Sequence, residues 1–308
     1  MILTQPPGEP GAALWIDLRE PTAEELARVR AATGLRVPTR SQVSEIESSS
    51  RLGFEGGSFY LSAPLVAATA EGDLAIEPVG FVLSPRVLVT VRFGALASFD
   101  AAHAQAAAAP PKSAAEALLL ILELIVDRAA DALEHTGGEC DTLARAVFRG
   151  GGGRGKPAQK LGVSLRRIGD AAAEISRLRD ELLGLGRIAG YLMESGIAGA
   201  PAPNAARLQA IRGDVASLTD YQSHLAGKVQ FLLDATLGFI NIEQNDIVKT
   251  LTIASVVGIP PVLVAGIYGM NFRVMPELHW TFGYPFALAL IVVTGLLPLW
   301  WFKRRGWM

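Results

Sequence analysis

Cysteine is all but absent. Cys140 stands alone in 308 residues, so neither a disulfide framework nor a thiolate metal cage is available. Histidine is nearly as scarce: His103, His135, His224 and His279 are scattered, and no pair has the i, i+4 spacing of a helical metal site. Each reads as a surface or helix-packing residue. No HExxH, paired-carboxylate or nucleophile motif stands out, which leaves an enzyme without a catalytic constellation. An excess of one charge is also missing. The net charge of −2 gives no support to nucleic-acid binding. The opening MILTQPPGEP has neither a charged start nor an apolar core, so it does not read as a cleavable signal peptide, and about the first 240 residues are expected in the cytosol.

One glycine cluster looks like a phosphate loop on paper, Gly150-Gly151-Gly152-Gly153-Arg154-Gly155-Lys156-Pro157. Pro157 stands where a P-loop needs Ser or Thr, and the dinucleotide pattern needs a preceding strand where this segment reads as helix. It is a turn.

What the chain does have is two long apolar runs, both near its C-terminal end. Leu251–Phe272 carries no charged residue and closes on Tyr268-Gly269-Met270-Asn271-Phe272. A helix of about 20 apolar residues spans a bilayer core. Read back from Asn271 in steps of three and four, one face takes in Ile267, Val264, Ile259 or Pro260, Ser255, Thr252, Val248 and Asn245. A single span in lipid gains nothing from such a Ser/Thr/Asn stripe, whereas several copies around an axis gain a pore lining. A second span runs from about 282 to 302, and neighbouring helices in a membrane can tolerate its Pro285, Gly295 and Pro298. Trp300, Trp301 and Trp307 sit where an aromatic belt belongs, and Lys303-Arg304-Arg305 obey the positive-inside rule. Two spans place both termini on one side, here the cytosol, and turn the loop Arg273–Thr281 outward.

Upstream, residues 12–18 read as a strand. Thr22–Ala32 reads as a helix capped near Thr22, and Thr39–Ser50 as a second helix. Phe59–Ala67, Leu74–Leu83 and Val87–Arg92 are β-rich and suggest a small sheet. Ala95–Ala109 is helical up to Pro110, and Ser113–Phe148 is a long helix opened by a capping box of Ser113 with Glu116. The implied organisation is an α/β cytoplasmic domain over 1–148, a long helical stalk over 149–250, and a transmembrane hairpin over 251–308. In the stalk, Lys156–Glu194 precedes a helix that continues from Ala205 to Met270, roughly 100 Å at about 1.5 Å per residue. Gly213, Gly227 and Gly238 each weaken it by about 1 kcal/mol, so neighbouring helices must hold it, which favours an oligomer.

YGMNF, then Met275-Pro276-Glu277-Leu278, a second apolar span and a basic tail resemble, in that order, the CorA family of magnesium and cobalt transporters. Gly238-Phe239-Ile240-Asn241-Ile242-Glu243-Gln244-Asn245 and Trp15-Ile16-Asp17-Leu18 fit its enterobacterial-type branch. The resemblance implies a funnel-shaped homopentamer in the inner membrane, with the first span lining the pore. It implies passage of hydrated Mg²⁺, with Co²⁺ and Ni²⁺ as further cargo, and no organic cofactor. A zinc transporter of the same superfamily and a non-conducting membrane scaffold remain the rivals.

The chemistry suits Mg²⁺, which dehydrates reluctantly and keeps several waters when bound. A ring of Asn271 amides, with Gly269 carbonyls below and Met270 between, can hydrogen-bond those waters. Asn245 repeats the polar ring at the inner end, with Val248, Leu251, Thr252, Ser255 and Ile259 between the two. The apolar members can shut by dewetting. Asn271 equally suits a helix cap, and the two roles are compatible. Glu277 in the outer loop raises local cation concentration. Arg273 departs from the family's frequent acidic residue and works against it. The resemblance also implies closure by intracellular Mg²⁺ bound between protomers, for which Asp214, Asp220 and Asp73 are the candidate ligands.

Overall fold

The computed structural model describes residues 1–45, 51–68, 74–149, 157–195, 202–271 and 275–307. Its contacts group Met1–Arg149 with Val163–Leu233 in one unit, and a second unit takes in Asp234–Met308.

In the first unit six strands form one sheet: β1 (Ile2–Gln5), β2 (Trp15–Arg19), β3 (Leu52–Glu55), β4 (Ser58–Ala68), β5 (Leu74–Leu83) and β6 (Leu88–Arg92). Their order is β1-β2-β6-β5-β4-β3. Only β2 and β6 run parallel, with Trp15 opposite Leu88; the other neighbours are antiparallel. Side chains alternate between faces along a strand, and here the alternation sorts them into two cores. Ile16, Leu18, Val82, Val89 and Val91 pack with Val29 and Val43 on one face. Trp15, Leu61, Leu65, Val79, Phe81 and Leu88 pack on the other against the long helices.

The first face is covered by α1 (Ala23–Thr33) and α2 (Arg40–Val43). Helix α1 starts on a capping box, in which Glu25 N donates to Thr22 Oγ1 and Thr22 N donates to Glu25 Oε2. It ends on Gly34 at φ 74°, a left-handed conformation that glycine adopts without Cβ strain. Helix α2 is shorter than its sequence suggests: it closes at Val43, and 46–50 lie outside the described residues. Gly80 in β5 lets α2 lie this close. A Cβ there would meet Val43 Cγ1 at 2.7 Å and Val91 Cγ1 at 2.9 Å.

The second face carries α3 (Ala97–Ala108), α4 (Ala114–Arg149) and α5 (Pro157–Glu194). Glu116 N donates to Ser113 Oγ while the Glu116 carboxylate accepts from Lys112 N, so the expected α4 start is present with its backbone donor one residue early. Leu118, Leu119, Leu120, Ile121 and Leu122 are all buried, so α4 is apolar all round here, and each such side chain contributes about 1.5–3 kcal/mol. Helix α6 (Ala202–Tyr268) is held to α4 in this unit by Arg207, whose Nε and Nη2 reach Glu123 at 2.7 and 2.6 Å, and by Lys228 on Asp141 at 2.6 Å.

The second unit holds the C-terminal part of α6, a 3-10 turn (Pro276–His279) and α7 (Gly283–Arg304). Both helices are long and apolar enough to cross a membrane. Val262 is 72% exposed and Leu297 60%, apolar surface that water alone would not stabilise. The architecture is the anticipated one, an N-terminal α/β domain followed by long helices and two C-terminal apolar spans.

Candidate functional site

The tip of the first span lies beyond the regular helix. Helix α6 ends at Tyr268, Gly269 N still donates to Ala265 O at 2.9 Å, and Met270 N tightens onto Ile267 O at 3.2 Å. Gly269, Met270 and Asn271 follow as an exposed segment. Asn271 makes no side-chain hydrogen bond among the described residues, so its amide is not spent on capping the helix.

Below the tip, the α6 wall carries its hydroxyls in a particular state. Thr252 Oγ1 donates to Val248 O at 2.8 Å and Ser255 Oγ to Leu251 O at 2.9 Å. With the proton committed to the preceding turn, each hydroxyl offers only lone pairs outward. Waters around a cation point hydrogens outward, so acceptors are the groups such a wall needs. Asn245, Val248, Leu251, Thr252 and Ile259 are exposed, and Ser255 is half-buried. The structure therefore places them along one open side of the helix.

In the outer half of the stripe Ile267 is exposed and Val264 half-buried, and Val262, Leu263 and Met270 beside them are exposed too. Pro260 and Pro261 lie inside the helix here and cannot donate to the carbonyls of Val256 and Val257. Helix α7 comes alongside at this level: a Cβ on Gly295 would lie 3.3 Å from Pro261 Cγ. Lys249 Nζ also stands 5.8 Å above the Trp307 ring. Beside these contacts Thr252 and Ile259 stay exposed and Ser255 half-buried.

At the basic end of α7, Arg304 lies 5.3 Å over Trp300 and Arg305 4.6 Å over Trp301, cations on aromatic faces as a membrane interface favours. Glu277 falls in the 3-10 turn; its side chain lies outside the described residues, as do Arg273 and Asp73. Asp214 and Asp220 are exposed on α6. Among the described residues no three His, Cys, Asp or Glu side chains come together as metal ligands within one chain.

Sequence reading missed the ionisable groups buried in the first unit. Asp17 is fully buried on the helix-covered face of the sheet, where Arg92 Nη2 donates to its Oδ2 at 2.9 Å, Thr90 Oγ1 to its Oδ1 at 2.7 Å, and His103 Nε2 lies 3.1 Å away. Burial pushes the Asp17 carboxyl up, but the His103 hydrogen bond, the Arg92 charge and hydrogen bonds, and Thr90 together hold it below the usual carboxylate range. His103 also stacks on Trp15 at 4.0 Å. Glu181 on α5 is the opposite case. Burial pushes it up to about 7, with one compensating bond, from Val66 N at 2.9 Å. Both partnerships join residues far apart in the chain, so no local motif announces them.

The CorA-like Mg²⁺ transporter profile matches residues 11–304. The chain is 33% identical over 298 residues to the magnesium transport protein CorA of Escherichia coli strain K12, covering 96% of this chain and 92% of that protein. It is 32% identical over 299 residues to the protein of that name from Yersinia pseudotuberculosis, with the same coverage. The complete structure of the CorA magnesium transporter from Methanocaldococcus jannaschii superposes with a TM-score of 0.75 at 20% identity, over 96% of this chain and 91% of that one. On the profile and the curated relatives, with the fold in agreement, this chain belongs to the CorA-like Mg²⁺ transporter family.

Proposed function

We propose that the protein is a passive channel for hydrated Mg²⁺, assembled as a homopentamer in the inner membrane with both termini in the cytosol. The observation that carries this reading is the Gly269-Met270-Asn271 tip, with an uncommitted Asn271 amide above a side of α6 rich in hydrogen-bond acceptors. Relatives of nearly full length named magnesium transport proteins supply the cargo.

In this mechanism five Asn271 amides and the Gly269 carbonyls receive hydrogens from the ion's water shell, so selection precedes dehydration. A carboxylate ring touching the metal would hold it too tightly to release. Thr252 and Ser255 continue the acceptor lining, and Asn245 closes it at the inner end. Val248, Leu251 and Ile259 form apolar rings that close by dewetting. Glu277 offsets Arg273 at the mouth. Residues 251–308 act as the conducting hairpin, 149–250 as the stalk and 1–148 as the cytoplasmic sensor. Intracellular Mg²⁺ on Asp214, Asp220 and Asp73 of neighbouring protomers keeps the pore shut. Co²⁺ and Ni²⁺, with comparably strong water shells, are secondary cargo. The drive is the membrane potential, about 4.6 kcal/mol per divalent ion for every 100 mV.

The test is Mg²⁺ uptake into proteoliposomes by wild type and Asn271→Ala. The channel reading requires uptake by wild type and its loss in the variant, with assembly unchanged by size-exclusion chromatography. Equal uptake by both removes Asn271 from the filter. No uptake by either favours a membrane scaffold.

A further inference from the structure

A cavity of about 500 Å³ opens between the sheet and the helices of the first unit. Its walls are apolar: Leu65 and Ala67 from β4, Ala129 and Ala132 from α4, and Leu178 from α5. Its ionisable lining is mostly acidic, with the carboxyl groups of Asp100, Asp131, Glu174 and Glu181 against the single guanidinium of Arg128, and with His135 beside them. Asp100 is partly engaged already, 3.7 Å from Arg92. Glu181 differs from the other acids. It is only 5% exposed and its Oε2 accepts from Val66 N. Among the described residues no cation pairs with it. A carboxylate so buried, with one hydrogen bond and no counter-charge, is costly to ionise.

We propose that this cavity binds a linear aliphatic diamine or polyamine, with one ammonium on Glu181, the methylene chain along the alanine and leucine walls, and a second ammonium at the Asp131 and Glu174 rim. An ammonium donates three hydrogen bonds without needing a fixed ligand cage. Mg²⁺ is a poor fit, because it demands octahedral oxygen ligands at close range, and no three candidate ligands gather among the described residues. The raised Glu181 adds a signature: an ammonium beside it favours the carboxylate, so binding near pH 7 releases a proton. This inference is independent of the transport reading.

Calorimetric titration of the full-length, detergent-solubilised protein with 1,4-diaminobutane tests it, with butylamine as the single-headed control. The expected result is saturable binding at one site per chain, about tenfold or more tighter than butylamine, with proton release seen across buffers of different ionisation enthalpy. Glu181→Gln keeps the side-chain shape and is expected to weaken binding by about tenfold or more without lowering the melting temperature. Glu174→Gln, nearer the surface, is expected to weaken it several-fold and carries the test if Glu181→Gln does not fold. Absence of saturable binding overturns the proposal. So does equal affinity for butylamine, affinity unchanged in both variants, or binding without proton release.

Discussion

Two buried acids in the first unit respond to pH with opposite sign. Asp17 titrates below its ordinary value, so its contribution to stability is complete above that value and is lost as pH falls through the folded one. Asp17→Asn removes the charge and leaves the buried Arg92 guanidinium with only the exposed Asp100 carboxylate, 3.7 Å away, as counter-charge. The expected cost is about 3–5 kcal/mol at neutral pH, seen as a lower melting temperature. Glu181 titrates near 7 in the fold against 4.5 ordinarily. Below 4.5 both states are protonated and nothing is lost. Between 4.5 and 7 the unfolded chain ionises first, so the fold loses stability as pH rises, by about 3 kcal/mol in all. Glu181→Gln should therefore melt higher than wild type at pH 8, with the difference gone at pH 4. A variant less stable than wild type at pH 8 would contradict the assignment. Neither acid was legible as special in the sequence. Asp17 meets Arg92 across 75 positions and Glu181 meets Val66 across 115, distances over which no periodicity operates.

Elements were more legible where their signals are local. Thr22 and Ser113 mark helix starts because the capping partner lies three residues on. Leu74–Leu83 read as a strand and forms one. The short strands β1 and β3 escaped notice, because four residues carry too little alternation. They exist through pairing, Ile2 with Leu18 and Phe54 with Phe59. Close packing of α5 on β4 is likewise invisible in sequence. It depends on Gly184, where a Cβ would lie 2.9 Å from Pro64 Cδ and 3.1 Å from Ala63 Cβ. Gly184→Ala adds helix propensity worth about 1 kcal/mol, but overpacking costs about 1–3 kcal/mol. The net expectation is destabilisation, and faster hydrogen exchange in β4 would report it. Unchanged exchange would mean that the helix shifts freely.

On the scale of the whole molecule, the division of labour follows from which surface each unit leaves uncovered. The first unit buries its sheet on both faces and holds its buried charges in the Asp17–Arg92 pair and at a cavity. The second exposes apolar side chains along two spans and, on α6, Thr252 with its hydroxyl proton already committed to Val248 O. That asymmetry is what lipid on one side and a water-filled axis on the other require. The hairpin and its tip were legible in sequence because they are contiguous; where α7 meets α6, at Gly295 and Pro261, was not. The most direct measurement of the central claim is Mg²⁺ entry into liposomes holding the wild-type protein under an imposed inside-negative potential, with no nucleotide present. The account predicts uptake that grows with the potential and stops when it is collapsed. Vesicles that stay impermeable to Mg²⁺ with correctly inserted protein would contradict it.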